Sequence, residues 1–276
     1  MEILFIIMFF FIGTVFGSFF TLAVYRIPLK KNITYERSFC PNCEHRLEFK
    51  DLIPVFSYIF LKGKCRYCGQ KVRPRYLILE VLSGCVFALA YISIKIDILG
   101  ISYLYFGVNY EQTVEKLIYL VGFTCFYITN AIIIGIDKEY RQINKKVLIF
   151  GIITQIAYMM YLYTLNKQNI HGIYLILLII MVGVAVFGDP SKKQKYIFQN
   201  IIYLIYITTF IGIRNLIILM PILIAVIIYN KFFINRKNVG GDAHIDQKIT
   251  NPIGFFIGIS AIIIALISNF IKYYIQ

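Results

Sequence analysis

Apolar positions in this chain come in long unbroken runs, not at the spacing of elements that bury one face and wet the other. Runs of about twenty mostly apolar residues, enough to cross a bilayer as a helix, fall at roughly 3–25, 76–94, 117–136, 147–164, 171–187, 197–213, 215–234 and 252–273. The stretch 98–108 is too short to span and predicts an interfacial segment. The runs 197–213 and 215–234, parted only by Arg214, also fit one long broken helix. The first run has no basic n-region and continues into Gly17-Ser18-Phe19 without a persuasive cleavage site, so it is expected to stay as an anchor. The pattern predicts an all-α fold: a polytopic membrane helix bundle of about eight transmembrane helices with a small cytoplasmic loop domain. Its expected parts are a first helix at 1–25, the loop domain at 26–75 and the remaining bundle at 76–276.

Composition agrees and adds orientation. Of 276 residues, 59% are hydrophobic and only 15% charged, with a mean hydropathy of +0.73. A soluble domain carries about 25% charge, so an ordinary cytosolic enzyme is excluded, as is disorder. The net charge is +14, and its distribution accounts for it without a nucleic-acid partner. Alternating loops 26–75, 137–146, 188–196 and 231–251 hold 12, 4, 3 and 4 Lys+Arg, which is 23 of the 28. The other five are Lys95, Lys116, Lys167, Arg214 and Lys272. Positive residues collect in cytoplasmic loops, which predicts that the basic set faces the cytoplasm and both termini lie outside.

The long first loop carries Cys40-Pro41-Asn42-Cys43 and Cys65-Arg66-Tyr67-Cys68. Two Cys-x-x-Cys knuckles about twenty residues apart can set four thiolates around one zinc. In a reducing cytoplasm a disulfide pair is the weaker alternative. Four thiolates close the coordination shell, so the zinc is expected to be structural and to fold a loop with little core of its own. Cys85 and Cys125 lie in apolar runs and are expected to pack.

The chain has six aspartates: 51, 97, 137, 189, 242 and 246. Asp137 closes the run Ala131-Ile132-Ile133-Ile134-Gly135-Ile136, and a carboxylate at the bilayer edge is a functional candidate. The bland alternative is a solvated helix end beside Lys138 and Arg141. Two carboxylates sharing a site push their pKa values apart, so one stays protonated while the other activates water. Asp137 therefore needs a partner. Asp242 follows Val239-Gly240-Gly241, where glycines let backbone approach a substrate; Asp189, in Phe187-Gly188-Asp189-Pro190, reads equally as a turn. Asp246 and His244 read as solvated loop residues. The aromatics Tyr58, Phe60, Tyr203 and Tyr206 read as packing or interfacial anchors.

Taken together these residues resemble the type IV prepilin peptidases, membrane-embedded aspartic proteases of the GxGD type. Gly17-Ser18-Phe19 with Tyr25-Arg26-Ile27-Pro28 is similar to the family's opening GSF…YRxP. Cys40-Pro41-x-Cys43, then Asp51-Leu52-Ile53-Pro54-Val55-x-Ser57-Tyr58 and Gly63-x-Cys65-Arg66-Tyr67-Cys68-Gly69, resemble its loop signature, closed by Arg75-Tyr76 and Glu80. Ile136-Asp137 with Ile143-Asn144 resembles the first aspartate motif, and Pro252-Ile253-Gly254-Phe255-Phe256 the terminal PxGxF segment. The resemblance implies cleavage of the basic leader of prepilins or pseudopilins at the cytoplasmic face of the bacterial inner membrane. In many members S-adenosylmethionine-dependent N-methylation of the new terminus follows. It gives Asp137 the role of first catalytic acid and Cys40, Cys43, Cys65 and Cys68 that of zinc ligands.

The second acid motif is where this chain departs. By helix order it falls near Phe198-Gln199-Asn200, which has no glycine and ends in an amide. Asp242 has the better local match and is the first choice, with Asp189 the alternative and no second acid the third. The substrate, an apolar helix behind a basic leader, is expected to enter from the membrane, and Glu48, Asp51 and Glu80 are candidate anchors for the leader. The rival from another class is a catalytically inactive relative acting as a membrane assembly or scaffold protein. A transporter-like protein is disfavoured, because the acids sit at the cytoplasmic edge and not near the midplane.

Overall fold

The computed structural model describes residues 2–33, 37–94, 110–166, 169–188, 195–228 (apart from 214, 216, 222, 223, 226 and 227) and 252–274. Its helices are α1 (Glu2–Arg26), α2 (Phe56–Phe60), α3 (Arg75–Ile94), α4 (Tyr110–Tyr140), α5 (Lys145–Asn166), α6 (Asn169–Phe187), α7 (Lys195–Ile211) and α8 (Ile253–Tyr274), with a 3₁₀ turn at Phe49–Asp51. Apart from two isolated β-bridges, regular structure among the described residues is helical. The fold is an all-α membrane bundle, as its unbroken apolar runs demand: where lipid is the solvent, a helix satisfies its backbone internally. Among the described residues five helices are long and apolar enough to cross a membrane: α1, α3, α4, α5 and α8. α6 is apolar over His171–Ala185 and α7 has 17 residues, close to the expected fifth and sixth runs, 171–187 and 197–213. The expected run 215–234 is described only in part, and the expected interfacial segment 98–108 lies outside the described residues.

Helix α4 is longer than expected, because the helix does not stop at its first charges. It runs through Glu115 and Lys116 at one end and through Asp137, Lys138 and Glu139 at the other. Asp137 therefore sits inside the last turn of a helix, not beyond it.

The chain divides into two compact units, residues 1–120 with 273–276 and residues 121–272. In the first, α1 packs along α3 through small residues. A Cβ on Gly17 would lie 2.7 Å from Glu80 Cα, and one on Gly13 would meet the backbone of Gly84 at 2.8 Å. Such Gly-xxx-Gly spacing lets two membrane helices meet backbone to backbone, which replaces the hydrophobic drive that lipid removes. Aromatic rings fill the rest of the seam, with Phe9 stacked on Tyr91 and Phe16 on Phe87. In the second unit α4, α5, α7 and α8 bury a polar stripe. Tyr203 donates to Asn130 Oδ1 at 2.6 Å, and Gln155 donates to Thr209 at 2.9 Å. Tyr203 and Tyr206 are fully buried packing residues, and Tyr203 also carries one of these hydrogen bonds.

A candidate metal centre and a buried carboxylate

The four cysteines of the loop converge. Their Sγ atoms all lie within 4.8 Å of one another, and those of Cys40 and Cys68 are 3.8 Å apart. Four sulfurs about 2.3 Å from a zinc at tetrahedral angles would be about 3.8 Å apart, so the cluster fits one such ion.

Two copies of one backbone motif build it, offset by 25 residues. Cys40 N–H donates to His45 and Cys65 N–H to Gln70; Glu44 N–H donates back to Cys40 and Gly69 N–H back to Cys65. Bridges Phe39–Arg46 and Lys64–Lys71 close the two hairpins. The residue after the second cysteine turns left-handed in both, with φ 56° at Glu44 and 70° at Gly69. Glycine adopts that conformation freely and glutamate does not. Hydrogen bonds from the Gln70 backbone and then the Asn42 amide pull the Cys68 thiol down to about 6. Its neighbour Cys43 is pushed up to about 11, the His45 backbone amide being outweighed by burial and by the Cys68 and Cys40 thiols. In the metal-free cluster the charge therefore settles on Cys68.

Asp51 fastens the second knuckle to the 3₁₀ turn. Its side chain is 2% exposed, accepts from Arg66 Nε at 2.5 Å and from the Tyr67 hydroxyl at 3.2 Å, and receives Glu48 N–H. Burial works to raise this carboxyl, but the Arg66 guanidinium and the Glu48 amide overrule it and hold it below the ordinary carboxylate range. Glu80 is buried on α3, where its Oε2 accepts Val55 N–H at 2.8 Å and Ser18 hydrogen-bonds the carboxylate. Arg26 is buried too, donating to the carbonyls of Asn32 and Arg37. Of the three candidate leader anchors, Asp51 and Glu80 hold the loop itself, and Glu48 is exposed and paired with Lys50 at 2.9 Å.

In the second unit Asp137 is 0% exposed, which overturns the solvated-helix-end alternative. The amino terminus of α8 covers it. Tyr196 of α7 donates to Oδ1 at 2.8 Å, and Phe255 N–H donates to Oδ2 at 3.0 Å. Ile253 N–H in turn donates to the Tyr196 hydroxyl at 3.1 Å. The first amides of a helix have no intrahelical partner, and here a carboxylate and a phenol from two other helices satisfy them. The positive end of the α8 dipole favours the negative group. Gly254 makes the approach feasible, since a Cβ there would lie 3.1 Å from Asp137 Oδ2 and 3.3 Å from Asn200 Oδ1.

Asn200 thus stands beside Asp137, at the place that helix order gives to a second acid. Its Nδ2 donates to Tyr196 O at 2.8 Å, while its buried Oδ1 has no hydrogen-bond partner among the described residues. Asp242, Asp189, Asp246 and His244 lie outside the described residues. Tyr196 went unnoticed in the sequence. The signal was its place four residues before Asn200 and seven before Tyr203, on one face of α7.

A family model, the bacterial peptidase A24 N-terminal domain, matches residues 11–94. Relatives with curated names match over stretches of similar length. The prepilin leader peptidase/N-methyltransferase of Klebsiella pneumoniae is 40% identical over 84 residues, 28% of this chain and 37% of its own. The protein of that name from Bacillus subtilis is 40% identical over 89 residues, 32% of this chain and 36% of its own. That from Vibrio cholerae is 36% identical over 89 residues, 29% of this chain and 35% of its own. The match thus spans little more than a third of these relatives' length, and no solved structure matches the chain. Residues 11–94, which take in most of α1, both knuckles and α3, match the bacterial peptidase A24 N-terminal domain, and over stretches of about that length the chain is similar to the type IV prepilin peptidases.

Proposed function

We propose that the protein is a membrane-embedded aspartic endopeptidase that removes the basic leader of type IV prepilins or pseudopilins at the cytoplasmic face of the bacterial inner membrane. The observation that carries this reading is the peptidase A24 domain at residues 11–94, seconded by the buried carboxylate of Asp137. Asp137 is one catalytic acid and Asp242 the other. In such a pair the ionised member takes a proton from water as it attacks the peptide carbonyl, and the protonated member gives its proton to the departing amine. Tyr196 and the α8 amino terminus hold Asp137 in a fixed orientation for that exchange. Cys40, Cys43, Cys65 and Cys68 hold a structural zinc that keeps the loop folded. The relatives' names carry N-methyltransferase activity as well, and S-adenosylmethionine-dependent methylation of the cleaved terminus is the second proposed step.

One observation favours a second reading, an inactive relative that serves as a membrane assembly protein: the residue beside Asp137 is the amide Asn200, not an acid. Prepilin cleavage in reconstituted vesicles separates the two. Under the first reading wild type cleaves, and Asp137→Asn or Asp242→Asn lowers the rate by about 10²–10⁴-fold. Under the second, folded wild type leaves every prepilin intact.

A further inference from the structure

The loop between α1 and α3 is not all solvent-facing. Residues 52–61, Leu-Ile-Pro-Val-Phe-Ser-Tyr-Ile-Phe-Leu, carry no charge, and Lys50, Lys62 and Lys64 flank them. An apolar run this short cannot span a bilayer but suits a segment that dips into it. Its outward side is apolar, with Phe60 80% exposed, Ile59 58% and Phe56 41%.

Its position against the two long helices gives its depth. Val55 N–H reaches Glu80, which Ser18 of α1 also engages. The Phe56 ring stacks on Phe11 of α1 with centroids 5.7 Å apart. Ser18 precedes Arg26, the basic end of α1, by eight residues and Phe11 precedes it by fifteen. At 1.5 Å per residue those levels are about 12 and 22 Å along the helix from that end. The hydrocarbon core is only about 30 Å thick, so a helix spanning it places both levels well inside. The exposed side of the segment also continues an exposed apolar strip on α1 that includes Phe11, Val15 and Phe19.

Backbone in hydrocarbon needs internal partners, and this segment has them. Ser57 N–H donates to Ile53, Ile59 to Val55, Leu61 to Ser57, Lys62 to Ile59 and Gly63 to Tyr58. We infer that residues 53–60 form a re-entrant hairpin whose Phe56, Ile59 and Phe60 side chains lie against lipid acyl chains, with Lys50, Lys62 and Lys64 at the headgroups. The knuckles are then tethered to the membrane surface at a third point besides α1 and α3.

The chain contains no tryptophan, so single reporters are clean. Phe60→Trp and Ile59→Trp are made in the full chain and reconstituted into phosphatidylcholine vesicles with or without brominated acyl chains. Phe19→Trp on α1 is the lipid-facing reference and Phe39→Trp in the first knuckle the water-facing one. The inference predicts blue-shifted emission from both loop reporters, quenching by brominated lipid comparable to that of Phe19→Trp, and protection from aqueous iodide. Emission and iodide quenching like those of Phe39→Trp, with no effect of brominated lipid, would overturn it. So would a blue shift that appears only when an apolar prepilin helix is added and that brominated lipid does not quench, which would make the surface a substrate dock. Neither reporter reads peptidase activity, so the result stands apart from the proposed reaction.

Discussion

Glu44 and Gly69 occupy equivalent corners of the two knuckles, and only one of them is a residue suited to a left-handed backbone. Glu44→Gly is expected to raise the stability of the zinc-loaded loop by about 0.5–1 kcal/mol, the left-handed cost relieved less the entropy glycine loses. An unchanged or lower unfolding temperature would contradict this. Asp51 is the other residue to test, because its carboxyl is held low by Arg66. A group whose folded pKa lies below its unfolded one stabilises fully above the unfolded value, near about 3.9. That contribution is lost as pH falls through the lower, folded value. That loss falls below about pH 4, so with zinc in excess the difference in unfolding temperature between wild type and Asp51→Asn is expected to stay flat from about pH 7 down to the pH at which the thiols release zinc. A difference that already shrinks between neutral pH and about 6 would show that another group sets it.

At the scale of elements, the sequence was most informative where structure is local. The two Cys-x-x-Cys spacings foretell the knuckles, since a tight turn alone brings each cysteine pair together, and the apolar runs foretell α1, α3 and α5 to within one or two residues. Contacts between distant helices left no such mark. Nothing in the one-dimensional pattern says that Tyr196 of α7 and the amides opening α8 would meet on Asp137, or that Asn130 would face Tyr203. The extent of α4 was hidden because charged residues at a membrane helix end look like a loop. Asn200, by contrast, was marked by helix order alone, and it stands beside Asp137. The close approach of α8 yields a prediction of its own. Gly254→Ala would push a methyl group against Asp137 Oδ2 and Asn200 Oδ1, shifting the carboxylate by a few tenths of an ångström. It is expected to lower the cleavage rate about tenfold with little change in KM, a misplacement effect. An equal loss in protein abundance would assign the glycine to folding instead.

For the whole molecule the two units carry different parts of the proposed function. The first holds the four converging cysteines and the stretch that matches the peptidase domain; the second holds Asp137. A metal held by the four cysteines would tie the first together through thiolates that protons compete for. A chelator, or acidification that protonates the thiols, should therefore release about one zinc per chain and unfold the loop while leaving the long helices intact. Helical circular dichroism that collapses along with zinc release would contradict that separation. Asp137 is central to the second unit, because the carboxylate and the phenol of Tyr196 close the amino terminus of α8 whatever chemistry follows. The amide isostere keeps much of that geometry, so it separates a chemical role from a purely structural one. The most direct measurement is cleavage of a cognate-locus prepilin by the purified protein in vesicles, wild type against Asp137→Asn, with thermal unfolding followed in parallel. The peptidase assignment predicts that wild type cuts while the folded variant is slower by about 10²–10⁴-fold. A folded Asp137→Asn protein that still removes the leader at the wild-type rate would contradict it.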